Sequence, residues 1–300
     1  GSHYGKRQVL YKNRAGHIGG KSGKIVLGGL FMSNVKVRDI TLYYDTLGVG
    51  HPLVLIRGLG SNADHWYPQV PAFSSCFCVV SFDNRGIGRS DKPDNPYTIS
   101  MMAEDTAGLM DAIGIPKAHI MGLSMGGMVA QEFALRFPHK VHGLVLACTH
   151  CGGGKDLPPS EEIGALFSEF IATASPEAAQ KAGKCLFAAN TFSKAPELVL
   201  EYQRISGRFP PEAKTLIRQW EAIKGHDTWA RLHRIQVPTL VITGAEDLLI
   251  APENSRILAE KIPGAQLCII PGGGHQFLVE QAHAANEAVL AFLNGLPTKA

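Results

Sequence analysis

Short, continuously apolar runs alternate with amphipathic stretches along most of this 300-residue chain. Runs of this kind are typical of strands that are buried on both faces, as in parallel sheets with helices on each side. The alternation therefore predicts an α/β fold with a doubly wound, mostly parallel sheet. The predicted buried strands span residues 53–56, 77–82, 119–121, 144–147, 239–242 and 267–270.

Two half-polar segments, 35–40 and 41–45, precede the buried strands and predict an antiparallel hairpin that opens the sheet. Helical patterns occupy the intervals between the strands, and Gly or Pro follows most of them, as expected at helix ends. The predicted helices of this core span residues 99–113, 126–137, 252–262 and 277–293.

The alternation stops in residues 152–232, where the patterns are helical and no run resembles a strand. Such an insertion leaves the carboxyl end of one strand and returns before the next, so it would cover the crevice where open α/β sheets bind ligands. We expect a helical lid here, late in the sheet, on a core of residues 32–151 and 233–300. Its helices are expected at 161–174, 176–189, 196–206 and 211–224. Its large apolar residues either face the site or pack the lid onto the core: Phe167, Phe170, Leu186, Phe187, Phe192, Leu198, Tyr202 and Trp220.

Residues 1–31 are rich in glycine and cations and predict a tag-derived or disordered leader, with a native basic extension as the alternative. Met32 is the expected natural start. Residues 15–22 fit a relaxed phosphate-loop pattern, but a phosphate loop follows a buried strand and opens a helix. The flanking residues have neither pattern, so we reject that interpretation.

Charge and hydropathy limit the classes of partner that this chain can bind. The formal net charge is only +3, and residues 1–31 hold six cations and no acid, so the remainder is close to neutral. A nucleic-acid or membrane partner therefore has no electrostatic support. No apolar stretch approaches the ~20 residues that span a bilayer. We expect a cytoplasmic protein, and homodimer formation stays open.

The spacing of Cys148 and Cys151 matches half of a redox or zinc site. A second pair of ligands at matching spacing is missing, so we expect a strand end that turns into a loop, and no metal.

The pattern G-x-S-x-G at residues 122–126 lies between a predicted buried strand and a predicted helix. A sharp turn of this kind holds a serine hydroxyl clear of its neighbours, and the flanking glycines permit the turn. The first N–H groups of the helix would also stabilise a negative charge beside the hydroxyl. Ser124 is therefore the candidate nucleophile.

A serine nucleophile needs a base within hydrogen-bond reach and a third group that orients the base. His275 lies in a glycine-rich loop after the last predicted strand, and Asp247 lies just past the strand before it. The chain order of serine, acid and histidine is the one expected for this type of sheet. We predict Ser124, Asp247 and His275 as catalytic residues, with the adjacent Glu246 as a rival acid.

The turn after the first buried strand, residues 57–61, contains Gly58 and Gly60, which let the backbone approach a ligand closely. The N–H groups of Leu59 and Met125 are predicted to form the oxyanion hole.

These features together resemble the α/β-hydrolase fold family from residue 35 to the end of the chain. Residues 83–90 resemble the family's D-x-R-G-x-G-x-S turn, for which we expect a structural role. Ser124 in place of Asp at the elbow disfavours the haloalkane dehalogenase and epoxide hydrolase branches. Residues 122–131 and 262–265 further resemble the branch of 3-oxoadipate enol-lactonases and small carboxylesterases.

Arg57 departs from the resembled family, in which a histidine usually precedes the glycine of the oxyanion turn. An arginine here either pairs with Asp83 or Asp64 or binds a carboxylate of the substrate. Both uses stay open, and Arg57, Gly58 and Trp220 are the candidate substrate-binding residues.

The resemblance implies a serine hydrolase that cleaves carboxylic esters or lactones of small to medium acyl size through an acyl-enzyme. It implies a small-molecule partner, no metal and no organic cofactor. Three other uses of the same residues stay open: a C–C bond hydrolase, a cofactor-free perhydrolase or dioxygenase, and a ligand receptor of the same fold.

Overall fold

The computed structural model describes residues 31–297, in which eight strands form one sheet. Their order across the sheet is β1-β2-β4-β3-β5-β6-β7-β8. β2 is antiparallel to both of its neighbours, whereas β3 to β8 run parallel, which confirms the predicted doubly wound, mostly parallel sheet. The strands are β1 (Phe31–Val37), β2 (Ile40–Leu47), β3 (His51–Ile56), β4 (Phe77–Phe82), β5 (Ala118–Leu123), β6 (Val141–Ala147), β7 (Thr239–Gly244) and β8 (Gln266–Ile270).

Helices connect the strands and cover the sheet. One face of the sheet packs against the helices at residues 99–112, 125–136 and 252–261, through residues such as Leu109, Phe133 and Leu258. The other face packs against the helices at residues 69–73, 277–280 and 282–294, through residues such as Phe73 and Leu278. None of the helices within residues 31–297 has the length and apolar character needed to cross a bilayer. The core helices are α1 (Gln69–Phe73), α2 (Ile99–Ala112), α3 (Met125–Arg136), α9 (Pro252–Lys261), α10 (Phe277–Glu280) and α11 (Ala282–Asn294).

Five further helices lie between β6 and β7, where the sequence predicts a helical insertion. They are α4 (Glu161–Thr173), α5 (Pro176–Gly183), α6 (Thr191–Lys194), α7 (Pro196–Ser206) and α8 (Ala213–Lys224). We call residues 152–232 the helical insertion. The partly buried carboxylate of Glu280 joins the helical insertion to the core, because it accepts N–H bonds of 2.7 Å from both Ala188 and Gly274.

Several predicted boundaries differ from the structure. The hairpin turns at Arg38 and Asp39, earlier than predicted. The predicted helix 277–293 divides at Gln281, whose side chain amide donates to the carbonyl oxygen of Gly272 at 3.1 Å. The predicted helix 176–189 ends at Gly183. The interpretations of the leader and of residues 15–22 lie outside the described residues, apart from Phe31.

The turn at residues 83–90 contains a buried ion pair that holds the hairpin and α2 together. The guanidinium of Arg85 is fully buried and bonds Asp105 and Asp39, each at 2.8 Å. Asp105 is also buried, so a change that removes the cation would leave its carboxylate without a main partner in the interior. The structural role expected for this turn agrees with that arrangement.

We expect Arg85→Met to lower the free energy of unfolding by about 3–5 kcal/mol, the cost of an uncompensated buried charge. Urea denaturation followed by circular dichroism measures the change. Arg204→Met is the matched control, because Arg204 pairs with Glu201 on the exposed face of α7. Equal denaturation midpoints for the two variants would contradict the prediction.

Candidate active site

Ser124 lies at the junction of β5 and α3 in a strained backbone conformation, with φ 58° and ψ −122°. The glycines around it permit close backbone contacts. A Cβ atom on Gly126 would lie 2.1 Å from the carbonyl oxygen of Ile56, and one on Gly122 would lie 2.1 Å from that of Gly126. The elbow is therefore pressed against the end of β3, and Ser124 stands at the carboxyl edge of the sheet.

His275 and Asp247 form a buried pair at the same edge. The Nδ1 atom of His275 lies 2.8 Å from Oδ2 of Asp247. The other carboxylate oxygen accepts N–H bonds of 2.9 Å from both Leu249 and Ile250, which fixes its orientation. The rival acid Glu246 is exposed to solvent. The acid that faces the imidazole is thus Asp247.

Ser124 and His275 line one cavity. Among the hydrogen bonds within residues 31–297, none joins the Ser124 hydroxyl to the imidazole. Catalytic bonds of this kind are often long before substrate binds and tighten in the substrate complex. The arrangement therefore supplies a hydroxyl and an imidazole in one cavity, and the carboxylate of Asp247 orients the imidazole.

The pKa of His275 is well above its usual value of 6.5. Burial favours the neutral ring, but the carboxylate of Asp247 and the neighbouring Cys148 together outweigh burial and stabilise the imidazolium. A general base must be neutral, so protonation at low pH would remove it. We expect kcat/KM of a reaction that uses His275 as its base to rise with pH through an apparent pKa above 6.5, changing about tenfold per pH unit below it.

The pH profile is measured under conditions in which thermal melting shows a folded protein throughout. A kcat/KM that falls as the pH rises from 6 to 8 would contradict a histidine base with this environment. So would an acid limb with an apparent pKa well below 6.5.

The candidate oxyanion hole lies beside the hydroxyl. A Cβ atom on Gly58 would lie 3.0 Å from Cβ of Ser124, so the turn after β3 passes directly against the serine. The N–H of Leu59 and that of Met125, the first residue of α3, take no part in the hydrogen bonds found within residues 31–297. Both donors are therefore free to bind a negative charge.

The turn at residues 83–90 also supports the oxyanion turn. The side chain amide of Asn84 donates to the carbonyl oxygen of Arg57 at 2.8 Å. The buried carboxylate of Asp83 accepts the N–H of Ala63 at 2.8 Å and pairs with Arg89 at 2.8 Å. The turn at residues 83–90 thus fixes the backbone on both sides of Gly58.

The structure places Arg57 behind the cavity wall, contrary to its predicted contact with substrate. Its side chain is fully buried, lies 4.8 Å from the centroid of the Trp66 ring and donates to Oε1 of Gln276 at 3.2 Å. The predicted pairing with Asp83 or Asp64 is also wrong, because Arg89 pairs with both carboxylates. Burial lowers the pKa of Arg57.

The cavity has a volume of about 1150 Å³ and lies between the sheet edge and the helical insertion. Two candidate substrate-binding residues, Gly58 and Trp220, line it. Of the apolar residues singled out in the insertion, Phe192 and Leu198 do not line it. Those that do are Phe167, Phe170, Leu186, Phe187, Tyr202 and Trp220.

The thiol of Cys148 lies close to His275 and Asp247, and the three side chains form a possible metal-ligating set. Their potential ligand atoms lie within 4.8 Å of one another, and this is the only such metal-ligating set within residues 31–297. Burial raises the pKa of the Cys148 thiol, so the thiolate that a metal prefers is disfavoured. The imidazole and carboxylate already bond each other, which suits proton transfer better than metal binding.

Two residues that hold the catalytic candidates in place, Thr149 and Glu280, were not predicted from the sequence. The hydroxyl of Thr149 donates to the carbonyl oxygen of Ser124 at 2.8 Å. Glu280 accepts the N–H of Gly274, directly before His275, at 2.7 Å. The Thr149 contact joins the ends of two strands, whereas the Glu280 contact lies within the loop of His275 and the helix that follows it. Only the places of these residues near a strand end and a helix start could have suggested them.

The chain was compared with known proteins. A family model described as the alpha/beta hydrolase fold matches residues 51–282. RutD of Azorhizobium caulinodans, provisionally named a carbamate hydrolase, is 30% identical over 256 residues, which cover 85% of this chain and 95% of that protein. The 3-oxoadipate enol-lactonase 2 of Acinetobacter baylyi is 29% identical over 267 residues, covering 88% and 97%. The solved structure of a thermophilic esterase from Thermogutta terrifontis matches with a TM-score of 0.78 at 27% identity, covering 89% and 100%.

Proposed function

The chain belongs to the α/β-hydrolase fold family, and we propose that it is a serine hydrolase that cleaves carboxylic esters or lactones through an acyl-enzyme. The observation that carries the proposal is the strained elbow at Ser124, which faces the same cavity as the oriented imidazole of His275. The lactonase and esterase among its relatives support a substrate of the ester class.

In the first half of the reaction, the Ser124 oxygen attacks the ester carbonyl carbon while Nε2 of His275 takes the hydroxyl proton. Asp247 holds the proton on Nδ1 and stabilises the imidazolium that forms. The N–H groups of Leu59 and Met125 bind the negative oxygen, and each such donor contributes about 10²-fold or more in rate. His275 then protonates the departing alcohol oxygen, and the acyl-enzyme remains.

In the second half, water attacks the acyl-enzyme carbonyl and His275 takes one of its protons. The tetrahedral intermediate collapses when His275 returns that proton to the Ser124 oxygen, which frees the carboxylic acid. Every proton in this cycle passes through one ring nitrogen. Neither half requires a metal or an organic cofactor.

The cavity bears on substrate size. Its volume of about 1150 Å³ lies at or above the upper end of the ~300–1000 Å³ typical of small-molecule sites. Acyl groups of medium size therefore fit better than acetate. We propose that residues 152–232 act as a lid over a core of residues 32–151 and 233–300, since aromatic side chains of the insertion line the cavity.

Carbamate cleavage is the second candidate, favoured by the likeness to RutD. The same groups would attack a carbamate carbonyl. The nitrogen lone pair makes that carbonyl less electrophilic, so a carbamoyl-enzyme would lose its acyl group to water more slowly.

A substrate panel tests the proposal. It contains p-nitrophenyl esters of increasing acyl length, γ- and δ-lactones, and p-nitrophenyl carbamates, with kcat/KM measured for each. We expect the medium-length esters or the lactones to have the highest values. Carbamates as the best substrates would favour the second candidate. If the protein hydrolyses none of the three classes, both the ester or lactone proposal and the carbamate candidate are overturned. The C–C hydrolase, perhydrolase and receptor hypotheses would then be the ones to test.

A further inference from the structure

Two histidines line the cavity beside the loop that follows β6, and the proposed reaction does not use them. The ring centroids of His150 and His226 lie 6.4 Å apart. His150 directly follows Thr149, whose hydroxyl bonds the Ser124 carbonyl oxygen. This part of the wall is therefore anchored to the elbow itself, and we call the pair the histidine subsite.

His226 is buried without a partner. It is only 3% exposed, and neither ring nitrogen has a hydrogen-bond partner within residues 31–297. A buried polar group left unpaired destabilises the folded protein. Such groups are rare unless water or a ligand completes their bonding. Because the ring lines the cavity, a bound ligand can provide the missing partner.

His150 carries a hydrogen-bond donor on a side chain of the cavity wall. Its Nδ1 accepts the N–H of Gly152 at 3.1 Å, so in the neutral ring the proton lies on Nε2. Burial lowers the pKa of His150, although the carboxylate of Asp156 opposes this. Burial and the neighbouring His150 lower the pKa of His226 to about 3. Both rings are therefore neutral N–H donors at neutral pH.

The carboxylate of Asp156 disfavours an anionic ligand directly beside His150. An Asp156 oxygen lies 3.6 Å from Nδ1 of His150, so a second carboxylate at this place would be repelled. The neutral imidazoles supply no compensating positive charge. An uncharged oxygen with two lone pairs can accept from both rings, and a carbonyl oxygen has that capacity.

One glutamine joins the backbone of His150 to Thr228, which lies two residues after His226. The Nε2 atom of Gln131 donates to the His150 carbonyl oxygen at 3.0 Å, while its Oε1 accepts the hydroxyl of Thr228 at 2.6 Å. The N–H of Thr228 also bonds the carbonyl oxygen of Cys151 at 2.9 Å. The loops that carry His150 and His226 are thus tied together before any ligand binds, which lowers the entropy cost of binding.

We infer that His150 and His226 bind a second, uncharged carbonyl oxygen of the substrate, a ketone or an amide, at a position other than the scissile bond. The inference rests on the proposed function for the chemistry at Ser124. It adds the substrate class: esters or lactones that carry a keto or amide group elsewhere in the molecule.

Matched substrates test the subsite. One series is p-nitrophenyl octanoate and its keto derivatives, with the ketone moved stepwise along the acyl chain. The other is hexyl butyrate and its keto derivatives, with the ketone in the alcohol part. The ratio of kcat/KM between each keto derivative and its parent is measured for the wild type. The ratio of Kd is measured by calorimetry on Ser124→Ala protein, which does not depend on turnover.

We expect one position of the ketone to give a ratio of about ten, the effect of two neutral hydrogen bonds. His226→Leu and His150→Leu should each bring the ratio towards one, and His226→Gln, which keeps an N–H donor, should retain part of it. Ile223→Ala is the matched control, because Ile223 lines the same cavity without a polar group, and it should leave the ratio unchanged.

The inference is overturned if no keto derivative is preferred, or if the preference survives both leucine variants. A buried water that already completes the bonding of His226 would give the first of these results. Hydrolysis of the parents without any preference would remove the subsite and leave the proposed function intact. Tenfold tighter binding of a keto derivative to Ser124→Ala, with no hydrolysis by the wild type, would support the subsite and remove the proposed function.

Discussion

Ser124→Ala is expected to lower kcat for ester hydrolysis by about 10⁵–10⁶-fold, the loss seen when the nucleophile of a serine triad is removed. The change deletes one oxygen atom at the elbow and leaves the surrounding glycine contacts in place. The fold and the cavity should therefore persist. Stopped-flow and steady-state assays with the best p-nitrophenyl ester measure the loss, and a thermal melt verifies folding.

Ser193→Ala is the control for this experiment. Ser193 is an exposed serine of α6, away from the cavity, so its removal should leave kcat unchanged. A Ser124→Ala protein that is folded and keeps more than about a hundredth of the wild-type kcat would show that another group attacks the ester. That result would remove the acyl-enzyme on Ser124 from the account.

Asp247→Asn is expected to lower kcat by about 10⁴-fold, as the equivalent change does in a serine protease of unrelated fold. An amide at this position can donate to Nδ1 and so favours the wrong imidazole tautomer. It also removes the negative charge that raises the pKa of His275, so the acid limb of the pH profile should move to lower pH. Both the rate and the limb are measured on the same substrate.

Glu246→Gln is the matched control, since Glu246 is the adjacent acid and is exposed. It should leave both the rate and the profile unchanged. If Glu246→Gln instead lost activity and Asp247→Asn kept it, the rival acid would be the orienting group. A lower rate in Asp247→Asn without a shift of the limb would point to a loss of packing rather than of charge.

Much of the fold could be predicted because the signal is local. The strands β4, β5 and β7 are buried along their whole length, and each appears in the sequence as a mostly apolar run. The break between α10 and α11 could not be predicted in the same way. The apolar periodicity continues through Gln281, and the contact that accompanies the break, from the Gln281 side chain to Gly272, crosses the loop.

In the candidate site, the residues with a local signature were predictable. Glycines flank Ser124, and His275 and Asp247 each follow a strand end. Arg57 shows where such reasoning stops. Its neighbours in the sequence do not reveal that Arg89 already occupies the nearby carboxylates, or that Trp66 provides the surface on which Arg57 packs.

The unpaired ring of His226 was likewise invisible in the sequence. It lies next to His150 only because the helical insertion returns to the core beside its starting point, where Gly152 forms a bridge with Asp227. Contacts that depend on such a long excursion have no local pattern. Residues that determine specificity in an insertion therefore require the folded structure, whereas those at strand ends often do not.

The central claim is that Ser124 forms a covalent acyl-enzyme. A fluorophosphonate reacts with a serine that is activated in this way, and peptide mass spectrometry locates the adduct. The account predicts one adduct per chain, on the peptide that contains Ser124, with simultaneous loss of esterase activity and no adduct in Ser124→Ala. An adduct on another residue, or full esterase activity without any adduct, would contradict it.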